Sequence, residues 1–337
     1  MKTPVRHALV GAVALTAALS LNACALTSSG DTAEADTIEI AYLSASSANT
    51  WLAASAKEMK ALAEKDGVKI TEFDAKFEAG KTAKQIQDVI AAKKYDGIIV
   101  ATIDGVGAAP AIEEAIAAGI KVVILNQIVG EKLDTADPQV EGVSASVLAP
   151  PTGTGERLGQ LTVKACEGFN PCDVVYMYGI KGSPVDTAVR QGWESVVSQT
   201  PGITVIAEAE GGFLGTDEPR KAMQDVLQAH PTFQVLAGAG DQQILGANLA
   251  LEAAGKTDVR AVSVGGSEPA IAAIKAKTWF GDVAGVPVDE GKAAYEAMMA
   301  AIKDGTVSGG IDVVSNLPDG GLITQDNVGD FTAQWAG

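Results

Sequence analysis

From Thr37 onward, short apolar runs alternate with longer Ala-rich amphipathic runs, and this alternation limits the fold more than any other feature of the chain. Strand-like runs are TIEIAYL (37–43), VKITEF (68–73), DGIIVA (96–101) and IKVVILN (120–126), with helical periods at about 51–65, 81–94 and 107–118 between them. After a short strand near EGVSAS, strands follow at DVVYMY (173–178), ITVIAEA (203–209), FQVLAG (233–238), VRAVSV (259–264) and TWFGDVA (278–284). Helical periods fall at about 154–168, 184–199, 217–229, 241–254, 268–276 and 288–303. Strands this apolar are buried on both faces, which requires a parallel sheet covered by helices. Short βα connections with right-handed crossovers wind such sheets on both sides. About ten strands exceed one compact sheet, and 337 residues exceed what one core usually organises. The expected class is therefore α/β, with two Rossmann-like, doubly wound parallel-sheet lobes. Ligand groups then belong at the carboxyl ends of the strands.

The opening residues bear on compartment. MKTPVRHALVGAVALTAALSLNAC carries Lys2 and Arg6 and then a small apolar run from Ala8 to Leu21. That is the order of a secretory signal, and the run is short for a spanning helix. It ends in Leu21-Asn22-Ala23-Cys24, which is similar to a bacterial lipobox and implies cleavage before a lipidated Cys24. Residues 1–23 thus read as a lipoprotein signal peptide, and residues 24–36, without apolar period, as a flexible tether. The expected mature protein is exported and lipid-anchored to the outer face of the bacterial cell membrane. There Cys166 and Cys172, which bracket EGFNP, read as a local disulfide, with a metal site as the weaker alternative. No metal or cofactor is expected, because His230 is the single histidine beyond the signal, at a helix end before proline.

A formal charge of −17 argues against nucleic acid and against an anionic lipid surface held by charge. Serine- or cysteine-histidine catalysis lacks its usual parts. GTGERLG (153–159) and GAGDQQ (238–243) echo nucleotide loops without completing one, and close helix-to-strand turns account for both. VGGSEP has proline where a serine nucleophile elbow needs its last glycine. The chain reads as a binding protein, not an enzyme.

One segment draws attention as a site. SASSANTWL (44–52) follows the first strand and places Ser44, Asn49 and Trp51 at its carboxyl end. An aromatic there suits the apolar face of a sugar or polyol, while its alternative role is to staple the following helix. Asn49 suits either a ligand or the helix N-terminus.

The order and spacing of several stretches carry a wider resemblance. They are Asn49-Thr50-Trp51, DGIIVATID (96–104), AIAAGIKVVILNQ (115–127), AVRQGWESV (188–196), GDQQILGANLALEAAGK (240–256) and VRAVSVGGSEPAIAAI (259–274). The chain resembles the type I periplasmic solute-binding proteins of the ribose- and galactose-binding branch along nearly all of its mature length. The resemblance implies two lobes, 37–145 plus 286–315 and 146–285 plus 316–337, joined by three hinge crossings near 145–147, 284–287 and 315–318. It also implies a monomer that delivers its solute to an ABC permease. The alternatives are a receptor that presents its solute to a membrane sensor, or an importer receptor for a non-sugar molecule. Site residues carried over are Trp51, Asn126 and Gln127 after the fourth strand, Thr187, Phe213, and Asp241 with Gln242. Asn126 and Gln127 are neutral amides where aldose binders carry an aspartate and an arginine, and Gly240, Gly265 and Gly285 stand where those proteins show polar groups. Asp241 also suits a helix N-terminus, and Arg190 reads as a surface partner of Asp186. The ligand expected is a small neutral polyhydroxylated molecule other than a common aldopyranose.

Overall fold

The computed structural model describes residues 37–337. The signal, the tether and Cys24 lie outside the described residues. Among the described residues the first half runs β1 (Glu39–Ser44), α1 (Thr50–Asp66), β2 (Lys69–Asp74), α2 (Lys81–Ala92), β3 (Gly97–Val100), α3 (Gly105–Ala117), β4 (Lys121–Leu125), β5 (Ala145–Val147), α4 (Pro151–Ala165) and β6 (Cys172–Tyr178). It continues with α5 (Pro184–Val197), β7 (Ile203–Glu210), α6 (Asp217–Ala229), β8 (Val235–Gly238), α7 (Asp241–Ala253), β9 (Arg260–Gly265) and α8 (Glu268–Lys275). The last elements are β10 (Gly281–Ala284), α9 (Pro287–Asp304), β11 (Gly309–Ile311) and β12 (Leu322–Thr324). No helix among them is long and apolar enough to cross a membrane.

Two six-stranded sheets form, in the orders β11-β5-β4-β3-β1-β2 and β12-β10-β9-β8-β6-β7. This is the type I periplasmic binding protein architecture. Side chains that alternate along a strand reach opposite faces. In the first sheet Ile40, Tyr42, Ile99 and Val123 meet Met59 of α1 and Met298 of α9. Ala41, Leu43, Ile98 and Val122 meet Ile86 of α2 and Ile112 of α3 on the other face. The second sheet repeats the plan, with Val174 and Tyr176 against Leu158 and Trp193 on one side. Val175, Met177 and Leu236 face Met223, Ile244 and Ile274 on the other.

Two short strands, β11 and β12, escape the apolar pattern because three residues such as Gly309-Gly310-Ile311 carry no readable period. One of them departs from the all-parallel expectation: β12 runs antiparallel to β10. The chain passes between sheets after β5, after β10 and after β11. A boundary between 145 and 146 would cut β5, whose three residues all pair within the first sheet. The glycines of GTGERLG lie inside α4, not in a turn, and Gly155 lets α4 press on the α5 backbone. At the end of α4, Cys166 meets Cys172 with their Cα atoms 5.6 Å apart in a disulfide.

Candidate functional site

A cavity of about 140 Å³ lies between the two lobes, at the carboxyl ends of their strands. The first lobe brings most of its polar groups. Asn49 stands at the N-terminus of α1, where its Oδ1 accepts from Leu52 N at 3.0 Å. Its Nδ2 donates across the cleft to Phe213 O, also at 3.0 Å, so the cap residue doubles as a contact between lobes. Trp51 follows, and its Nε1 donates to Glu290 Oε2 at 2.8 Å. That pairing requires α9 to lie close to α1. Gly291 permits it, since a Cβ at this position would collide with the backbone of Ser55.

Asn126, just past β4, has φ +64°. Asparagine tolerates this left-handed conformation better than most residues. Its Nδ2 donates to Glu290 Oε2 at 3.2 Å, while its Oδ1 accepts from Gln127 Nε2 at 2.8 Å. Glu290 is 1% exposed. Burial pushes its carboxyl up to about 7, and the bonds from Trp51 and Asn126 pull the other way.

The second lobe contributes mainly apolar surface and room. Ile180, Val185, Val189 and Val264 line it. Phe213 closes one side against Phe77, with ring centroids 6.4 Å apart. Gln242 Nε2 reaches Thr50 Oγ1 at 3.3 Å across the cleft. Trp335, from the segment after β12, donates through Nε1 to Gly265 O at 2.7 Å and meets Trp51 edge-on at 5.4 Å. The glycines at the strand ends now have a reason. A Cβ on Gly285 would enter the Trp51 ring, and one on Gly265 would enter Trp335 and Asp241. Trp51 and Trp335 thus occupy the space in front of these two glycines.

Six of the residues singled out from sequence line this cavity: Asn49, Trp51, Asn126, Gln127, Phe213 and Gln242. Three do not. Ser44 is fully buried at the end of β1, inside the sheet. Thr187 is displaced because the α5 face toward the cavity is set by Ser183, Val185 and Val189. Asp241 turns beneath the cleft floor, where it accepts from Ser263 Oγ at 2.7 Å and Ser267 N at 2.8 Å. There it faces a second buried carboxylate, Asp282, and burial raises both, Asp282 further through the charge of Asp241. Nor does Asp241 cap its helix, since Gly240 holds that position without a side-chain bond.

The expected Asp186–Arg190 pair is also replaced. Arg190 bonds Glu194 at 2.9 Å and Glu208 at 3.2 Å. Asp186 is buried and accepts from Gly179 N and Ile180 N at 3.2 and 2.6 Å. Burial raises it to about 6, against those two backbone bonds. Glu290, Trp335 and Phe77 are cavity residues that hydrophobic periodicity does not reveal. In the sequence Glu290 is one of two adjacent acids in the first turn of a helix, the place where a solvated carboxylate is ordinary.

Two doubly wound lobes that meet around a cavity at their strand ends define a two-lobed solute clamp. A family model for the periplasmic binding protein domain matches residues 40–306, and the chain belongs to this family. Its members are extracytoplasmic solute-binding components of transport, not enzymes. The chain is 26% identical over 240 residues to a ribose import binding protein of Bacillus subtilis, covering 70% of this chain and 72% of that one. It is 23% identical over 322 residues to a xylitol-binding protein of Mycolicibacterium smegmatis, covering 95% and 86%. A solute-binding protein structure from Bacillus halodurans with bound myo-inositol superposes with TM-score 0.77 at 20% identity, covering 89% of this chain and 98% of that one.

Proposed function

We propose that this protein captures a small, polyhydroxylated, non-anionic ligand between its lobes and presents it to the permease of an ABC importer. In this reading Cys24 carries the lipid that holds the protein at the outer face of the membrane. The observation that carries the proposal is the chemistry of the cavity: aromatic rings and amides line it, and no arginine or lysine does among the described residues. Aromatic rings suit the C–H faces of a sugar or polyol, while an anion would need a cation facing it. The expectation of a strictly neutral ligand assumed few ionisable groups in the cleft, and Glu290 enlarges that class toward cations without admitting anions. The named relatives bind ribose and xylitol, which supports a polyhydroxylated ligand.

A thermal-shift screen of ribose, xylitol, myo-inositol, amino-substituted analogues, and sugar carboxylates and phosphates tests the reading, because a ligand raises apparent stability by mass action. At least one polyhydroxylated compound should raise the melting temperature, and small-angle scattering with that compound should show compaction as the lobes close. Shifts confined to carboxylates or phosphates would refute the reading. For the anchor, Cys24→Ser should move the protein out of the membrane fraction, and unchanged retention would count against it.

A further inference from the structure

Glu290 is a buried carboxylate with neutral partners only. Among the described residues no lysine or arginine pairs with it, and none lines its cavity. Such a group is normally paired with a positive charge, because desolvating an isolated carboxylate is costly. Its Oε2 takes the bond from Trp51 and the shorter one from Asn126, while Oε1 has only a 3.5 Å contact to Asn126 Nδ2. One carboxylate oxygen is thus left nearly unused.

The other polar groups of the cavity are neutral and offer both donors and acceptors. Each side-chain nitrogen already has a protein acceptor: Asn49 on Phe213 O, Trp51 and Asn126 on Glu290, Gln127 on Asn126, Gln242 on Thr50, and Trp335 on Gly265 O. The four amides each keep a second N–H, while the acceptors left without a protein donor are the side-chain oxygens of Gln127 and Gln242 and, nearly so, Glu290 Oε1. These amides serve a hydroxyl in both directions, and the group that discriminates is the Glu290 carboxylate. An ammonium has three donors and no acceptor. Aromatic rings on several sides, Trp51, Trp335 and Phe213 among them, favour a cation over a neutral group of equal size. The net charge of −17 gives the whole molecule a field that draws cations.

We propose that the ligand carries a protonated amine that pairs with Glu290, so that the cleft selects an amino-substituted sugar or polyol over its all-hydroxyl counterpart. The inference rests on the reading of this cleft as the solute site and narrows its class. Isothermal titration of the full protein with matched pairs tests it: glucamine against sorbitol, glucosamine against glucose, and amino-substituted inositol against myo-inositol. At least one ammonium compound should bind 10-fold or more tightly than its hydroxyl partner, and E290Q should bring that ratio toward one. Equal or tighter binding by the hydroxyl members, or a preference that survives E290Q, would overturn the inference and leave the solute-site reading intact. No binding by any member of either set, with ribose and xylitol also inert, would overturn both. The wild-type comparison within pairs stands alone if E290Q does not fold.

Discussion

The two lobes present opposite kinds of surface to the cavity they share. The first brings hydrogen-bonding groups, Asn49, Asn126, Gln127 and Glu290, the last three tied into one network with the Trp51 ring. The second brings Ile180, Val185, Val189 and Val264, together with strand-end glycines that make room for two tryptophans. The carboxylate and three of the four cavity amides thus come from one lobe, while the other is mainly apolar, with Gln242, Ser183 and Thr154 as its polar lining. On the proposed function, a ligand would dock first on the polar lobe and then be covered, which would make closure conditional on occupancy.

The largest effect should come from filling the room on the apolar side. Gly285→Leu places a side chain where the Trp51 ring sits, and overpacking of this kind costs about 1–3 kcal/mol. Ligand affinity by titration calorimetry should fall by about 100-fold, the upper part of that range, while each lobe still folds. Wild-type affinity would mean that Trp51 does not lie against the second lobe when ligand is bound. On the polar side, Trp51→Ala should weaken binding by about 1–3 kcal/mol, the scale of one large apolar group. Thr187→Ala, off the cavity, should change affinity by no more than about 0.5 kcal/mol. Equal losses from the two would erase the distinction between cavity and helix flank.

A further effect is spread over pH, and it too differs between lobes. Asp186, Asp241 and Asp282 are buried acids of the second lobe with raised values, while Glu290 is the first lobe's counterpart. For an acid raised on folding, the folded state holds more protons than the unfolded one between the ordinary carboxylate range and the raised value. Stability should therefore fall as pH rises through that window, which ends at about 6 for Asp186 and about 7 for Glu290. A tenfold difference in proton affinity between the folded and unfolded chain is worth about 1.4 kcal/mol. Thermal melts of the ligand-free protein should show a midpoint a few degrees higher at pH 5.5 than at pH 8. Asp241→Asn should flatten that dependence more than Glu290→Gln, because it acts on a coupled pair. A midpoint that rises with pH would contradict the burial of these groups.

Much of this protein was legible in its sequence. The alternation of apolar and amphipathic runs determined two wound parallel sheets, because burial on both faces leaves the same mark on every central strand. The βα turns that follow the first and fourth strands marked Asn49, Trp51, Asn126 and Gln127, since strand ends are the one place where a wound sheet opens toward a ligand. The fate of each side chain beyond that point was decided by tertiary structure. Asp241 and Thr187 sit at plausible positions in their elements, yet the Ser263–Ser267 network claims one and the helix face rotates the other away. Glu290 and Trp335 reach the cavity only because α9 and the final segment follow late passages of the chain between the two sheets, 239 residues after Trp51 in the case of Glu290. Local periodicity encodes which face of an element is buried. It carries no record of which distant element will be packed there, and that is where the chemistry of this cleft was settled.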